Sequence, residues 1–446
     1  MGWIRQLLPV NLPLAARVAI DHQQQLEPDG AYPGGGRCGP NGVLQLLRHV
    51  LLLTQSDAGA AVKKRIRISG VLGILEAPVL NLAPDDPLQH WWAERLRAAF
   101  AREIDLRQRI EAGFLLGELG DNLRYELVTA TAPEGDMRIG LCLKAELWAS
   151  FGQPGRKQRF VVGGSRWDRE ADDDEKPARA VRLDAFAMAR LPVTVAEWRW
   201  FAQAGYVDAQ APWWRQVGPA AQRWLTDQKR LDFGGSNWSL AADEFGQLSQ
   251  PMMQLTAYEA LAYAHWSAPL YRQAAGDTPD LANVRTDWPV QLPSEDLWEG
   301  GMRGPARWFE PWLRPARPWP FPQAGASTHA LAFNHEATKL KRPAPVGCFA
   351  LGASVQGVFD GCGQVWEWCG SRFTGPATAA GSVEDPEEGS KADAIAETDR
   401  IGLRGGTFDD DATFCRPSFR GFDRPNGLYW ATGMRLVRIK QPQSEP

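Results

Sequence analysis

Two stretches of this chain hold residue types whose spacing could do chemistry. In Gly357–Cys369 (Gly-Val-Phe-Asp-Gly-Cys-Gly-Gln-Val-Trp-Glu-Trp-Cys), Asp360 and Glu367 stand either side of a glycine-rich bend. A turn there would gather both carboxylates and nearby carbonyls around one hard cation, which takes oxygen ligands. The competing reading is that Glu367 accepts hydrogen bonds from buried backbone or tryptophan N–H groups. Gly361 and Gly363 permit backbone angles that residues with a Cβ avoid. The second stretch, Asp409–Thr432, contains Asp409, Asp410, Asp411, Phe414, Phe419, Phe422, Asp423, Asn426, Leu428, Tyr429 and Trp430. Aromatic and short polar side chains alternate there with glycines, the mixture of adaptable binding surfaces, and aromatics beside acids form binding hot spots. Against this, Arg416, Arg420 and several of the aromatics read equally as core of closing strands.

Elements that must position these residues follow from local patterning. Val365, Trp366 and Trp368 restart a strand-like apolar run after the bend. Residues 160–165 and 180–188 alternate like short strands. Thr194 with Glu197 and Thr256 with Glu259 are capping boxes, and Ser294 opens a third short helix. The acidic run 168–175 reads as a solvated loop, residues 206–250 as a loop-rich segment with aromatic pins, and residues 375–399 as a surface loop. Residues 1–125 read as helical, with a buried helix at 42–54. The segments Arg65–Leu75 and Arg109–Leu119 resemble each other like HEAT-type repeats. Two such units bury too little alone, so this region is expected to dock on the second domain or on a partner protein.

A resemblance runs through the second stretch of motifs, from about residue 158 to 438. Gly357–Cys369 resembles the Tyr-Asn-x-x-Gly-Asn-Val-Trp-Glu-Trp signature of the formylglycine-generating-enzyme, or sulfatase-modifying-factor, family. Leu191–Trp198, Gln291–Glu299, Leu403–Phe408 and Gly433–Val437 match further family segments in the right order. The fold this implies is α+β: a C-type-lectin-like domain rich in loops over 158–438, preceded by the helical region 1–125 and a linker at 126–157, and followed by a tail at 439–446. The resemblance also implies a structural calcium held by the side chains of Asp360 and Glu367 and the carbonyls of Gly363 and Val365, with Asp360 in place of the family's Asn. A second family calcium would start near Asn334, without recognisable downstream ligands.

The family's oxidases hold copper with two thiolates that fall here on Asp410 and Cys415, so one ligand is missing, and a thiolate beside a carboxylate holds copper(I) poorly. Cys415 is the residue an oxidase reading would use; Cys362 or Cys369 would have to approach it. Relatives that form carbon–sulfur bonds add a helical domain with three iron-binding histidines, a cluster absent from the N-terminal region here. The layout of 409–432 resembles instead the variable region of proteins diversified by retroelements. The expectation is a non-catalytic binding protein, with a protein ligand favoured over a sugar or small molecule because the surface is aromatic. The alternative is a cysteine oxidase or related oxygen-dependent enzyme.

Composition bounds these readings. The chain has 446 residues, long enough for two cores. A net charge of −4 without a long basic run argues against a nucleic-acid partner. No stretch has the length of a transmembrane helix, and Pro9, Asn11 and Pro13 interrupt the N-terminal apolar run, which therefore reads as structure. The six cysteines show no Cys-x-x-Cys spacing, the pattern of reduced thiols in a cytoplasmic protein. Gly34–Gly39 satisfies Gly-x-Gly-x-x-Gly without a preceding strand and reads as a mobile loop.

Overall fold

The computed structural model describes residues 97, 100–101, 106–118, 125–131, 137–143, 147–227 (except 154, 166–167, 205 and 207), 247–274, 289–305, 319, 332–373 and 395–439. The chain divides into one unit of Met1–Leu123 with Gln247–Ser249 and a second of Arg124–Gly246 with Gln250–Pro446. In the first, helix α1 (Leu106–Glu118) buries Ile110, Ala112 and Leu116. The expected repeats at 65–75, the glycine loop and residues 440–446 of the expected tail lie outside the described residues, whereas Ile439 belongs to the last strand.

The second unit opens with an antiparallel hairpin of β1 (Tyr125–Thr131) and β2 (Met137–Leu143), followed by β3 (Trp148–Phe151). Residues 126–157, expected as a linker, therefore carry strands. Tyr-Glu-Leu-Val-Thr-Ala-Thr has the β-branched composition of a strand, and Trp148 and Phe151 are buried. Next come β4 (Gln158–Val162) paired with β5 (Arg179–Leu183), then β6 (Phe186–Ala189). Helices α2 (Val195–Ala204), α3 (Pro212–Val217), α4 (Pro219–Asp227) and α5 (Ala257–Ala274) precede β7 (Val290–Gln291) and α6 (Glu295–Arg303). Helices α3 and α4 replace part of the loop expected over 206–250; residues 228–246 lie outside the described residues.

The chain closes with β8 (Trp366–Arg372), β9 (Ile401–Arg404), β10 (Gly421–Asp423), β11 (Thr432–Met434) and β12 (Val437–Ile439). One four-stranded sheet runs β10-β9-β8-β11, with β11 parallel to β8, and the other runs β3-β6-β12-β7. Phe151, Phe160 and Phe186 pack with Trp298, Met302 and Val437 in one buried cluster. Both Thr-Glu capping boxes form: Glu197 Oε2 accepts from Thr194 N at 3.0 Å and Glu259 Oε2 from Thr256 N at 2.8 Å. Ser294 caps α6 by accepting from Leu297 N at 3.2 Å. Beside them Trp198, Phe201, Tyr206, Trp214, Tyr263 and Trp266 form a ring-to-ring cluster. No helix among the described residues is long and apolar enough to cross a membrane.

Arg435, between β11 and β12, is fully buried. Its Nε and Nη2 donate to the two oxygens of Glu367 on β8, each at 2.8 Å. Nη1 donates to the carbonyls of Ala189 and Arg190 at 3.0 Å, and Nη2 also donates to Phe359 O at 2.9 Å. All five guanidinium donors are thus used. Glu367 Oε2 accepts in addition from the Trp298 indole at 2.6 Å, the hydrogen-bonded role weighed above for this residue. Removing one partner strands a buried charge. Glu367→Gln or Arg435→Gln is therefore expected to cost about 3–5 kcal/mol, whereas Trp298→Phe should cost about 1–3 kcal/mol through the lost indole donor. Urea melts of the three variants measure the order; equal losses would show that packing, not charge, governs this contact.

Candidate functional site

The bend before β8 is built from three residues with left-handed backbone: Asp360 (φ 56), Gly363 (φ 71) and Gln364 (φ 67). At 363 only glycine fits, since a Cβ would lie 1.9 Å from the Asn334 carbonyl oxygen. Gly363 N donates to Gly405 O at 2.7 Å and Gln364 N to Asn334 O at 3.0 Å. The Gln364 side chain accepts from Asn334 Nδ2 and from Ala344 N. Asn334 also donates to Arg342 O and accepts from Thr338 Oγ1. It acts as a hydrogen-bond hub joining this bend to the 334–344 loop.

Asp360 is buried, and one oxygen, Oδ2, accepts from Gly347 N at 2.6 Å. The other, Oδ1, has no hydrogen-bond partner. Burial, only partly offset by that backbone donor, pushes its carboxyl up to about 6. Among the described residues no three His, Cys, Asp or Glu side chains converge as a metal site. Of the carboxylates the family resemblance implies as ligands, Asp360 keeps Oδ1 open, while both oxygens of Glu367 already accept from Arg435 and one also from Trp298. The implied ligands are oxygens only, one of them a carboxylate oxygen without a donor, and this chemistry fits calcium rather than a soft metal.

The cysteines weighed for a copper site are all buried. Cys415 is fully buried, and its Sγ faces the Thr407 and Asp411 carbonyls at 3.8 and 3.7 Å. Cys362 joins it in a cluster with Trp319, Ala332 and Phe333, so of the two cysteines that were expected to have to approach, it is Cys362 that does; Cys369 packs in the main core. Burial pushes the Cys415, Cys362 and Cys369 thiols well up, which keeps them neutral. Asp410, at the first thiolate position, accepts from Thr407 N at 2.9 Å.

Residues 409–432 divide into two groups. The first comprises two sets of aromatic rings related through Asp410. Phe414 meets Phe419 edge-on with centroids 5.0 Å apart, and Phe419 lies 5.8 Å from Trp366. The Trp366 indole donates to the half-buried Asp410, whose carboxyl is raised, chiefly by burial. Tyr429 lies within reach of the Asp410 charge; partial burial and then that charge push its phenol up, while the Trp430 indole donates to it. Trp430 in turn stands edge-on to Phe408 at 5.0 Å. Asp411 caps the short turn Ala412–Cys415 by accepting from Thr413 N, and that donor holds its carboxyl below the usual range.

The second group centres on Phe422, 4.5 Å from Phe373, with Arg400 over Phe422 at 4.7 Å and Arg420 over Phe373 at 4.4 Å. Asp423 accepts from Arg424 N at 2.7 Å and closes a turn carrying the exposed Asn426 and Leu428. The expected surface is thus two patches, one around an acid and one layered with arginines.

Arg416 and Arg420 belong to the framework, as the core reading of these arginines expected. Arg416 is buried and grips Glu175 through Nη1 and Nη2, both at 2.9 Å. The acidic run 168–175 is therefore not simply a solvated loop: Glu175 is 1% exposed and Ala171 5%. The reason is that a bidentate guanidinium compensates the buried carboxylate. Arg420 and Arg404 share Glu295, and Arg404 also reaches Glu299. Sequence reasoning missed Trp366, Phe408, Phe373 and Arg400 as members of the site, because nothing local links them to partners tens of residues away.

The profile of the sulfatase-modifying factor enzyme 1-like domain matches residues 145–440, and the chain belongs to that family. The matched domain begins earlier than residue 158, in keeping with strand β3. Among curated relatives, the hercynine oxygenase of Mycolicibacterium thermoresistibile is 32% identical over 62% of this chain and 56% of its own length. That of Mycolicibacterium smegmatis is 30% identical over 62% of this chain and 59% of its own. The chain thus spans under three-fifths of those proteins. Among solved structures, Treponema denticola variable protein 1 aligns with a TM-score of 0.42 at 15% identity, covering 70% of this chain and 98% of that one.

The orphaned carboxylate generates a prediction with a definite sign. The folded carboxyl of Asp360 titrates at about 6 against an ordinary 3.8, so the native state binds the proton more tightly and its stability falls as pH rises through about 6. Asp360→Asn removes this cost while an amide oxygen can still accept from Gly347. In chelator the variant should be more stable than wild type at about pH 7.5, by up to about 3 kcal/mol, and the advantage should vanish towards about pH 4. Urea melts across that range decide it; a pH-independent difference would rule out titration of Asp360.

Proposed function

We propose that this member of the sulfatase-modifying factor family is a non-catalytic ligand-binding protein whose recognition surface is the 409–432 segment. The observation that carries this reading is where large apolar side chains face solvent. Of the six such residues among those described, Phe414, Phe422, Leu428 and Tyr429 lie in that one segment, and clustered exposed apolar groups mark interaction sites. An aromatic surface of this kind favours a protein ligand over a sugar. The segment hangs from arginine anchors, so its exposed positions can vary without repacking the core, which suits a diversified variable region. We further propose a structural calcium on Asp360 and Glu367 with the carbonyls of Gly363 and Val365. The resident ion would neutralise the buried Asp360 and hold the bend.

A second reading is an oxygen-dependent small-molecule enzyme, favoured by the identity with proteins named hercynine oxygenase. Asp410 at the first thiolate position and the buried, neutral Cys415 speak against the cysteine-oxidising form of it. Incubation with a sulfatase-type cysteine peptide and with hercynine plus a thiol, in air with copper or iron, is expected to yield no oxidised product by mass spectrometry. Turnover in either would overturn the binding reading.

Binding itself is tested by selecting short displayed peptides on the purified protein. Peptides enriched on wild type should lose at least about 2 kcal/mol of affinity on Phe414→Ala or Tyr429→Ala. Because both side chains are exposed and keep only a ring contact or one donor, stability should change by no more than about 1 kcal/mol. For calcium, removal by chelator should lower the melting temperature of wild type, since an ion bound only to the native state stabilises it by mass action. An unchanged melting curve would refute the calcium.

A further inference from the structure

The second patch of the segment lies on an unpaired strand edge. Strand β10 is the outermost of its sheet and pairs with β9 on one side only. On its other side no backbone group of Gly421, Phe422 or Asp423 meets a partner among the described residues. Phe422, 44% exposed, stands at the middle of this edge, its ring 4.5 Å from Phe373 and covered on one face by the Arg400 guanidinium at 4.7 Å. Arg400 precedes Ile401, the register partner of Asp423, and Arg424 follows Asp423, so both arginines belong to the same end of β10. Both are exposed. The carboxylates around them are already engaged: Asp399 pairs with Arg372 at 2.8 Å, Glu295 with Arg420 at 2.9 Å, and Glu397 lies 3.9 Å from Arg223. Asp423 folds into its own turn, accepting from Arg424 N at 2.7 Å and packing so closely on Gly427 that a Cβ there would collide with it. Two cations, one of them laid on an aromatic ring, thus flank a free edge without an ion-pair partner among the described residues.

Resting on the reading of 409–432 as a recognition surface, we infer that this edge takes an extended protein segment carrying an aspartate or glutamate, which adds to the sheet as a strand beside β10. The free N–H and C=O groups of the edge bind the backbone of such a segment. Its carboxylate, at the end marked by Arg400 and Arg424, meets a planar fork of donors that the ring contact already orients. An apolar side chain of the segment covers Phe422. A second copy of this chain is a poor occupant, because two such edges would bring like charges together, a device that keeps sheet edges from pairing with themselves. A basic or neutral segment would leave both arginines desolvated without compensation, which costs affinity.

The test uses the full chain and two displayed libraries of short linear peptides, alike except that one lacks aspartate and glutamate. Binders lost on Phe422→Ala are expected only from the library containing acids. Their affinity should fall at least about tenfold in Arg400→Gln, and less in Arg400→Lys, which keeps the charge without the fork. It should weaken as salt is raised. Should Arg400→Gln melt early, Arg424→Gln, at an exposed side chain, should lower affinity in the same direction. N-methylation of every second peptide amide should abolish binding in one register and spare it in the other, since alternate residues of an added strand face the edge. Tolerance of methylation in both registers, or Phe422-dependent binders arising equally from the library without acids, would overturn the inference. Binders lost on Phe414→Ala or Tyr429→Ala but indifferent to Phe422→Ala and Arg400→Gln would also overturn it, and leave the recognition surface standing. Absence of any binder sensitive to these four side chains would overturn both. Concentration-dependent dimerisation lost in Phe422→Ala would put a second copy on the edge. Binding that emerges only when 376–393, which carries acids of its own, is replaced by a glycine–serine linker would put the chain's own residues there. Either result overturns the partner.

Discussion

The buried contact between Arg435 and Glu367 is the constraint on which the rest of this domain depends. A guanidinium and a carboxylate without exposure are tolerated only when every donor and nearly every lone pair is matched. Meeting that condition fixes five separate pieces of chain: the end of β6, the loop at Phe359, β8, α6 through Trp298, and the β11–β12 junction. These pieces are far apart in sequence and mostly irregular in backbone. Hydrophobic packing alone is non-directional and would leave their registers loose; the geometry of one satisfied arginine is directional.

The same device recurs beneath the candidate surface. Arg404 with Glu295 and Glu299, Arg420 with Glu295, and Arg416 with Glu175 pin both ends of 404–420 to α6 and to the loop at 175. Desolvation opposes the charge of Glu295, but the two guanidinium groups win and hold its carboxyl below the usual range. Anchored in this way, the segment presents Phe414, Leu428 and Tyr429 to solvent without contributing them to the core. Surface chemistry can then change while the framework stays.

Asp410 and Asp360 make an instructive contrast. Both carboxyls are raised by burial, yet Asp360 is buried inside the framework and Asp410 is only half-buried, bonded to Thr407 N and the Trp366 indole. An undercompensated acid inside calls for a proton or an ion that belongs to the protein. The thiols of Cys362 and Cys415 pack apart from both, in a cluster with Trp319 and Phe333.

Local signals in the sequence settled what is decided within a few residues of chain. The Thr-Glu boxes announced helix starts at 194 and 256 because N–H groups of a first turn need nearby acceptors. The alternation in 160–165 and 180–188 announced strands, and the glycine at 363 announced a bend no Cβ could enter. The ordered motifs identified the family. What only the tertiary structure decided is the fate of each charge and ring. Glu367 is an arginine and indole acceptor, Glu175 is buried rather than solvated, and Phe422 stacks with arginines rather than joining Tyr429. Those outcomes depend on partners such as Arg416, some 240 positions from Glu175 along the chain, whose approach is set by sheet topology rather than by any periodicity in the sequence.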